Sequence, residues 1–135
     1  MAGTIALELL TPQKLAVEIQ VNEATLPGML GEFTVLPGHA PYVAQLKPGV
    51  LRFANDGGSS AYVVGSGFAE VVNDRLLVLT RSVEGKEALD AAQLRQDLDQ
   101  AVRRFDSLDP SDAAYGSAGE EIQRLRAGLE LLGGR

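Results

Sequence analysis

Residues 31–49 read GEFTVLPGHAPYVAQLKPG, and the way this stretch must bend decides the fold of the first half of the chain. At its centre Pro37-Gly38-His39-Ala40-Pro41 sits between two short apolar runs, Phe33 to Leu36 and Tyr42 to Ala44. Proline fixes φ and removes a donor, whereas glycine admits positive φ, so the pentapeptide reads as a rigid corner between two strands. It also holds the only histidine, His39. Such a corner presents a surface well, but its residue types suit chemistry poorly. A plain structural turn is the simpler reading.

The flanking sequence continues the β pattern. Leu15, Val17, Ile19 and Val21 alternate with Ala16, Glu18 and Gln20, and Ile5, Leu7 and Leu9 alternate with Thr4, Ala6 and Glu8. A period of two marks a half-buried strand. Turn signals recur at Pro27-Gly28, Pro48-Gly49, Asn55 to Gly58, Gly65 to Gly67 and Asn73-Asp74, with strands expected at 50–54, 61–64, 68–72 and 75–80. Many short, regularly punctuated strands imply antiparallel sheets packed as a sandwich or flattened barrel over residues 1–84. Nothing has the βαβ rhythm of a nucleotide-binding sheet.

Near Gly85 the period becomes helical. Asp90 and Gln93 are spaced as a capping box, and Leu94, Leu98, Ala101, Val102 and Phe105 form one stripe that should end near Ser107. Asp109-Pro110 reads as the next helix start, with Asp as cap and Pro in the first turn. Tyr115, Ala118, Ile122, Leu125, Leu129 and Leu132 give its stripe, Gly116 and Gly119 weaken its beginning, and Gly133-Gly134 ends it. Residues 85–135 should therefore form an antiparallel helical hairpin. Two narrow stripes bury little, so the hairpin is either a permanently packed cap or an element that docks in more than one way.

Composition narrows the function. The 135 residues are 45% hydrophobic, enough for a core, and contain no cysteine, which rules out disulfides and thiolate metal sites. The net charge of −6 and the absence of tryptophan argue against nucleic acid. MAGTIALELL lacks a basic n-region and a long apolar run, so no signal, transit or membrane-spanning segment is expected, and membrane association would come through a partner. One imidazole cannot build a zinc site, Gly65-Ser66-Gly67 is no nucleophile elbow, and no phosphate-binding glycine loop occurs. No catalytic site, cofactor or metal is expected. A binding or regulatory module remains.

Taken in order, GEFTVLPGHAP at 31–41, Leu46-Lys47-Pro48-Gly49 and Gly67-Phe68-Ala69-Glu70-Val71, ahead of a helical hairpin, closely resemble the ε-subunit family of bacterial F-type ATP synthases, whose mitochondrial counterpart is called δ. The resemblance is strong from about Thr4 to Thr80 and looser over the helices. It implies a non-catalytic rotor subunit on the cytoplasmic face of a bacterial inner membrane, its sandwich bound to γ and touching the c-ring loops. Glu32 and Phe33 would lie at the c-ring contact and His39 near γ, although a solvated turn residue is the plainer reading of Glu32. The hairpin would extend to the catalytic α/β head to hinder hydrolysis, or fold down and permit rotation. Arg95, Arg103, Arg104, Arg124 and Arg126 would then meet an acidic surface on the head, or else pair with neighbouring acids along the helices. Some relatives bind ATP through [I/L]-D-x-x-R-A. Here Leu89-Asp90 match, but Gln93 and Leu94 replace Arg and Ala, which removes the phosphate partner and leaves Asp90 as a helix cap. The rival reading is a free-standing β-sandwich that binds a small ligand under a helical lid. A concave pocket with convergent polar groups would favour it over a broad apolar face.

Overall fold

The computed structural model describes residues 3–133. Ten strands come first: β1 (Ile5–Leu10), β2 (Leu15–Val21), β3 (Glu23–Gly28), β4 (Gly31–Val35), β5 (Tyr42–Leu46), β6 (Gly49–Asn55), β7 (Gly58–Val64), β8 (Gly67–Val72), β9 (Arg75–Thr80) and β10 (Val83–Gly85). A 3₁₀ turn (Lys86–Ala88) leads to α1 (Ala91–Ser107) and α2 (Tyr115–Leu132). The strands follow the order β10-β7-β6-β3-β5-β8-β9-β1-β2, with β4 on the free side of β3. Strand β3 turns the sheet over, since Glu23 to Thr25 pair with β6 while Gly28 pairs with Leu46 of β5. The two halves thereby face each other as a nearly closed sandwich.

Strand alternation supplies the core. Ile5, Leu7 and Leu9 from β1 meet Leu51 and Phe53 from β6, Val71 from β8, and Leu76 and Val78 from β9 in one buried cluster. Along β2, burial grades from an exposed Leu15 through half-buried Val17 and Ile19 to a buried Val21, because β2 is the outer edge of the sheet and its far end has no facing layer.

Four sequence expectations need correction. The sheet is not wholly antiparallel: β1 runs parallel to β9, from Ala6 opposite Arg75 to Leu10 opposite Leu79. No hairpin joins these distant segments, so no tight turn imposes an antiparallel direction. Pro27-Gly28 is not a turn but the end of β3, and the reversal falls at Met29-Leu30. Pro27 is tolerated because its carbonyl accepts from Lys47 N–H while its missing donor is not needed by the ladder there. Helix α2 begins at Tyr115 rather than Pro110: Asp109 Oδ1 instead accepts from Ser111 N–H and Ser111 Oγ–H in a local turn. Finally, α2 buries Ala127 and Leu131 besides the expected Ala118, Ile122 and Leu125, so it is covered on two sides. The expected α1 cap is present, with Asp90 Oδ1 accepting from Gln93 N–H, though Gln93 turns to Asp97 instead of completing the box. The expected second terminal glycine, Gly134, lies outside the described residues.

Candidate functional site

The two outer faces of the sandwich differ. On one, Val50 of β6 and Val63 of β7 are covered by Ala127 and Leu131 of α2, with Ala61 and Leu89 at the margin. On the other, alternation along β5, β8 and β9 points Val43, Phe68, Val72, Leu77 and Leu79 outward, and these are 67%, 58%, 40%, 40% and 49% exposed. They are contiguous, since Phe68 stands opposite Leu79, Glu70 opposite Leu77 and Val43 opposite Glu70. Three charges interrupt the face: Glu70 in its middle, between Val43 and Leu77, and Glu8 and Arg75 at its edge, 3.7 Å apart. Isolated exposed apolar residues need no explanation, whereas a contiguous patch on three neighbouring strands marks a surface that something covers.

Phe33 and His39 are joined through Tyr42, while Glu32 faces a cleft shared with Lys47 and with Arg126 and Glu130 of α2. Glu32 is exposed on β4 opposite Pro27, beside the β3–β4 reversal where Leu30 is wholly exposed. Phe33 is half-buried and meets the Tyr42 ring edge-on at 5.4 Å, and Tyr42 in turn lies 6.0 Å from the His39 ring. His39 Nδ1 is 2.7 Å from the Ala40 carbonyl, which as an acceptor fixes the proton on Nδ1. Gly38 takes φ +81°, as the corner requires, and its N–H donates to Asp74 Oδ1 at 2.7 Å. Asp74 belongs to the β8–β9 turn, so two distant turns lock each other. Sequence reasoning missed this, because Asn73-Asp74 signals a turn but not its partner.

The arginines do not form one cluster. Arg95, Arg103 and Arg104 lie exposed on α1, whose stripe of Leu98, Val102 and Phe105 is only half-covered. Arg126 is exposed beside Lys47 on the wall of a cleft. Arg124 is half-buried and engaged: it donates to Glu121 on its own helix and to Glu84 on β10. The hydrogen bond with Glu121 raises the already high pKa of the guanidinium, and Glu84 adds to the effect against the cost of burial. The same bond holds the Glu121 carboxyl below its ordinary range. Two further contacts tie α2 to the sandwich, Arg52 to Glu130 at 3.1 Å and Ser66 Oγ–H to Glu120 at 3.0 Å. The Arg124–Glu121 pair is the pairing with a neighbouring acid that the sequence offered, whereas the three contacts with the sandwich join residues 40 or more positions apart and were not legible.

Beneath the hairpin lies an open cleft of about 770 Å³, lined by Met29, Leu46, Val102, Phe105, Tyr115 and Ile122, with Lys47, Asp106, Glu120 and Arg126 at its rim. Its charges are mixed in sign, and Glu120 is occupied by Ser66. Among the described residues no buried side-chain nitrogen or oxygen lacks a partner, and no group of histidines and carboxylates has the arrangement of a metal site. No described helix is long and apolar enough to cross a membrane.

Residues 4–86 match the family described as the ATP synthase, Delta/Epsilon chain, beta-sandwich domain. The chain belongs to this family. An ATP synthase epsilon chain of Geotalea daltonii is 34% identical over 133 residues, spanning 98% of this chain and 96% of the relative. That of Desulfatibacillum aliphaticivorans is 42% identical over 108 residues, covering 79% and 77%. Among solved structures, a chain of the Euglena gracilis mitochondrial ATP synthase OSCP/F1/c-ring assembly superposes with a TM-score of 0.81 at 27% identity, covering 95% of this chain and 80% of that one. A chain of the Tetrahymena thermophila mitochondrial central stalk and c-ring shares the fold, with a TM-score of 0.65 at 14% identity over 97% of this chain and 98% of that one. The matched family model covers the sandwich, and the similarity to the epsilon chain of Geotalea daltonii extends over the hairpin as well.

Proposed function

We propose that this chain is a non-catalytic rotor subunit of an F-type ATP synthase, divided into a sandwich (1–84) that couples γ to the c-ring and a hairpin (85–135) that regulates hydrolysis. The observation that carries the reading is the uncovered apolar face on β5, β8 and β9, opposite the side taken by α2. Contiguous apolar patches of this kind mark protein-interaction sites, and γ is the partner that the family offers. The exposed Met29-Leu30 reversal and Glu32 project from the end of the sandwich, which suits them to the polar c-ring loops, with Glu32 pairing a basic loop residue. The aromatic chain Phe33-Tyr42-His39 stiffens that end.

For the hairpin, the docked state described above is the permissive one, and release would carry Arg95, Arg103 and Arg104 toward an acidic surface on the α/β head. Arg124 becomes available only on release, because it is bound to Glu84, whereas Arg126 is exposed in the docked state as well. Nucleotide is not part of this reading, since Asp90 is spent as a helix cap and Gln93 stands where the family motif has arginine. The complex would sit on the cytoplasmic face of a bacterial inner membrane, held there by the c-ring.

The reading as a ligand module under a lid draws on the 770 Å³ cleft, but the cleft is open and its rim charges do not converge on one sign. The decisive experiment is titration of the intact chain into isolated γ, comparing wild type with Phe68→Asp and Leu79→Asp. Wild type should bind tightly, and each substitution should weaken binding by 100-fold or more without changing the far-ultraviolet spectrum. Equal affinity for all three would end the proposal.

A further inference from the structure

The apolar contact between α2 and the β6–β7 face consists of small, similar residues: Val50, Val63, Ala61, Ala127 and Leu131. Such a patch favours docking and sets part of the register, since a one-turn slip brings Gln123 or a side chain of another size into the place of Ala127. The polar contacts sharpen that choice. Along α2 they read Glu120, Arg124 and Glu130, and along the sandwich their partners read Ser66, Glu84 and Arg52. The signs alternate along α2, and they are met by a neutral hydroxyl at Ser66 and by opposite charges at Glu84 and Arg52.

From this we infer that Glu120, Arg124 and Glu130 act with Ser66, Glu84 and Arg52 as a charge ladder that specifies a single register of the docked hairpin. Consider α2 displaced by one turn, about 5.4 Å, so that each residue takes the place of the one four positions later. Glu120 then faces Glu84, and Arg126 faces Arg52: acid meets acid and base meets base. Gln123 also replaces Ala127 over Val50 and Val63. In the opposite displacement Gly128 comes opposite Glu84, and Arg124 faces the Ser66 hydroxyl. Both slips lose the central ion pair, and one creates two repulsions. Solvent-accessible ion pairs contribute little net stability, but like charges brought together exclude the wrong arrangement, so the ladder governs specificity more than affinity. This inference deepens the regulatory reading of the hairpin proposed above and rests on it for its biological meaning, though not for its geometry.

The absence of cysteine allows a clean test in the intact chain. Asp56→Cys in the β6–β7 turn and Ser117→Cys near the start of α2 would carry nitroxide labels. Because Glu130 lies by Arg52 and Glu120 by Ser66, the vector between the labels runs along the helix, and a one-turn slip changes their separation by about 5 Å. The wild-type ladder should give one narrow distance. Arg124→Glu should shift or broaden it, and Glu84→Arg with Arg124→Glu should return it to the wild-type value. Arg52→Glu with Glu130→Arg tests a second rung in the same way. A wild-type distance in Arg124→Glu, or failure of both swaps to restore it, would overturn the ladder. The same variants assembled into the synthase and assayed for ATP hydrolysis report on the regulatory reading separately. A ladder confirmed by distance with hydrolysis unchanged throughout would leave the register rule standing and remove the brake.

Discussion

At the scale of single residues, Gly67 and Arg124 show how much rests on one side chain or its absence. Gly67 opens β8 opposite Thr80 of β9, and a Cβ there would lie 1.9 Å from the Leu79 carbonyl oxygen. Backbone cannot yield as a flexible side chain does, so Gly67→Ala must part the β8–β9 ladder at its end. The expected cost is about 2–3 kcal/mol, as for other overpacking substitutions, read as a fall in the thermal midpoint. An unchanged midpoint would mean that the strands separate there freely. Arg124 makes a different prediction, through its neighbour. The hydrogen bond from Arg124 lowers the Glu121 pKa, so the folded value lies below the unfolded one. The stabilisation is then complete above the usual glutamate value of about 4.3 and is lost as pH falls through the lowered value. Arg124→Gln should raise the Glu121 midpoint followed by carboxyl NMR, and a midpoint that stays put would show that the pair does not form in solution.

At the scale of elements, the two helices are unequal. Helix α2 packs against β6, β7 and α1, whereas α1 packs chiefly on α2, with Leu94 its only buried residue. A Cβ at Gly128 would come 3.0 Å from Leu94 Cδ1, which shows how closely the helices approach there. Leu125, 1% exposed, is the residue of the hairpin most removed from water. Leu125→Ala should cost about 2–5 kcal/mol locally, and because the sandwich core contains no hairpin residue, the loss should stay in the helices. Amide exchange should accelerate through both α1 and α2 together while β1, β8 and β9 keep their protection. Helices that exchanged independently would contradict the packing described here. The same asymmetry explains what the sequence made legible. Period-two alternation located β1, β2, β8 and β9 well, and helical stripes located α1 to its last turn, because those signals are local. Strand β3 was hidden by Pro27-Gly28, a pair that ordinarily announces a turn, and the parallel β1–β9 pairing by the absence of any local mark of direction. The start of α2 was misplaced because Asp109-Pro110 fits a cap as well as it fits the short turn that Ser111 completes. The corner holding His39 was visible as a motif, while Asp74, which fastens it through Gly38, was not.

At the scale of the whole molecule, the proposal assigns partner binding and regulation to different faces of one sandwich, and this separation has a consequence for the assembled synthase. The apolar cluster beneath α2 draws on Val50 of β6 and Val63 of β7, whereas Val43, Phe68, Leu77 and Leu79 lie on β5, β8 and β9. Changes on opposite faces of a packed sandwich share no partners and should act independently. On membranes carrying the whole complex, Phe68→Asp should release the chain into the wash, and ATP-driven proton pumping should fall with it, as the proposed coupling role of the sandwich requires. Truncation after Lys86 keeps β10, and with it the edge of the sheet, but removes both helices. That form should stay bound, pump protons in the same proportion to ATP consumed, and hydrolyse ATP faster by whatever factor the hairpin restrains. Measuring hydrolysis and pumping together is essential, because either rate alone confuses an uncoupled rotor with an unbraked one. If truncation lowered pumping relative to hydrolysis, the hairpin would belong to the coupling path and the division between the two faces would fail. If it changed neither rate, the helices would be a fixed cap, and the weak attachment of α1 would need another purpose.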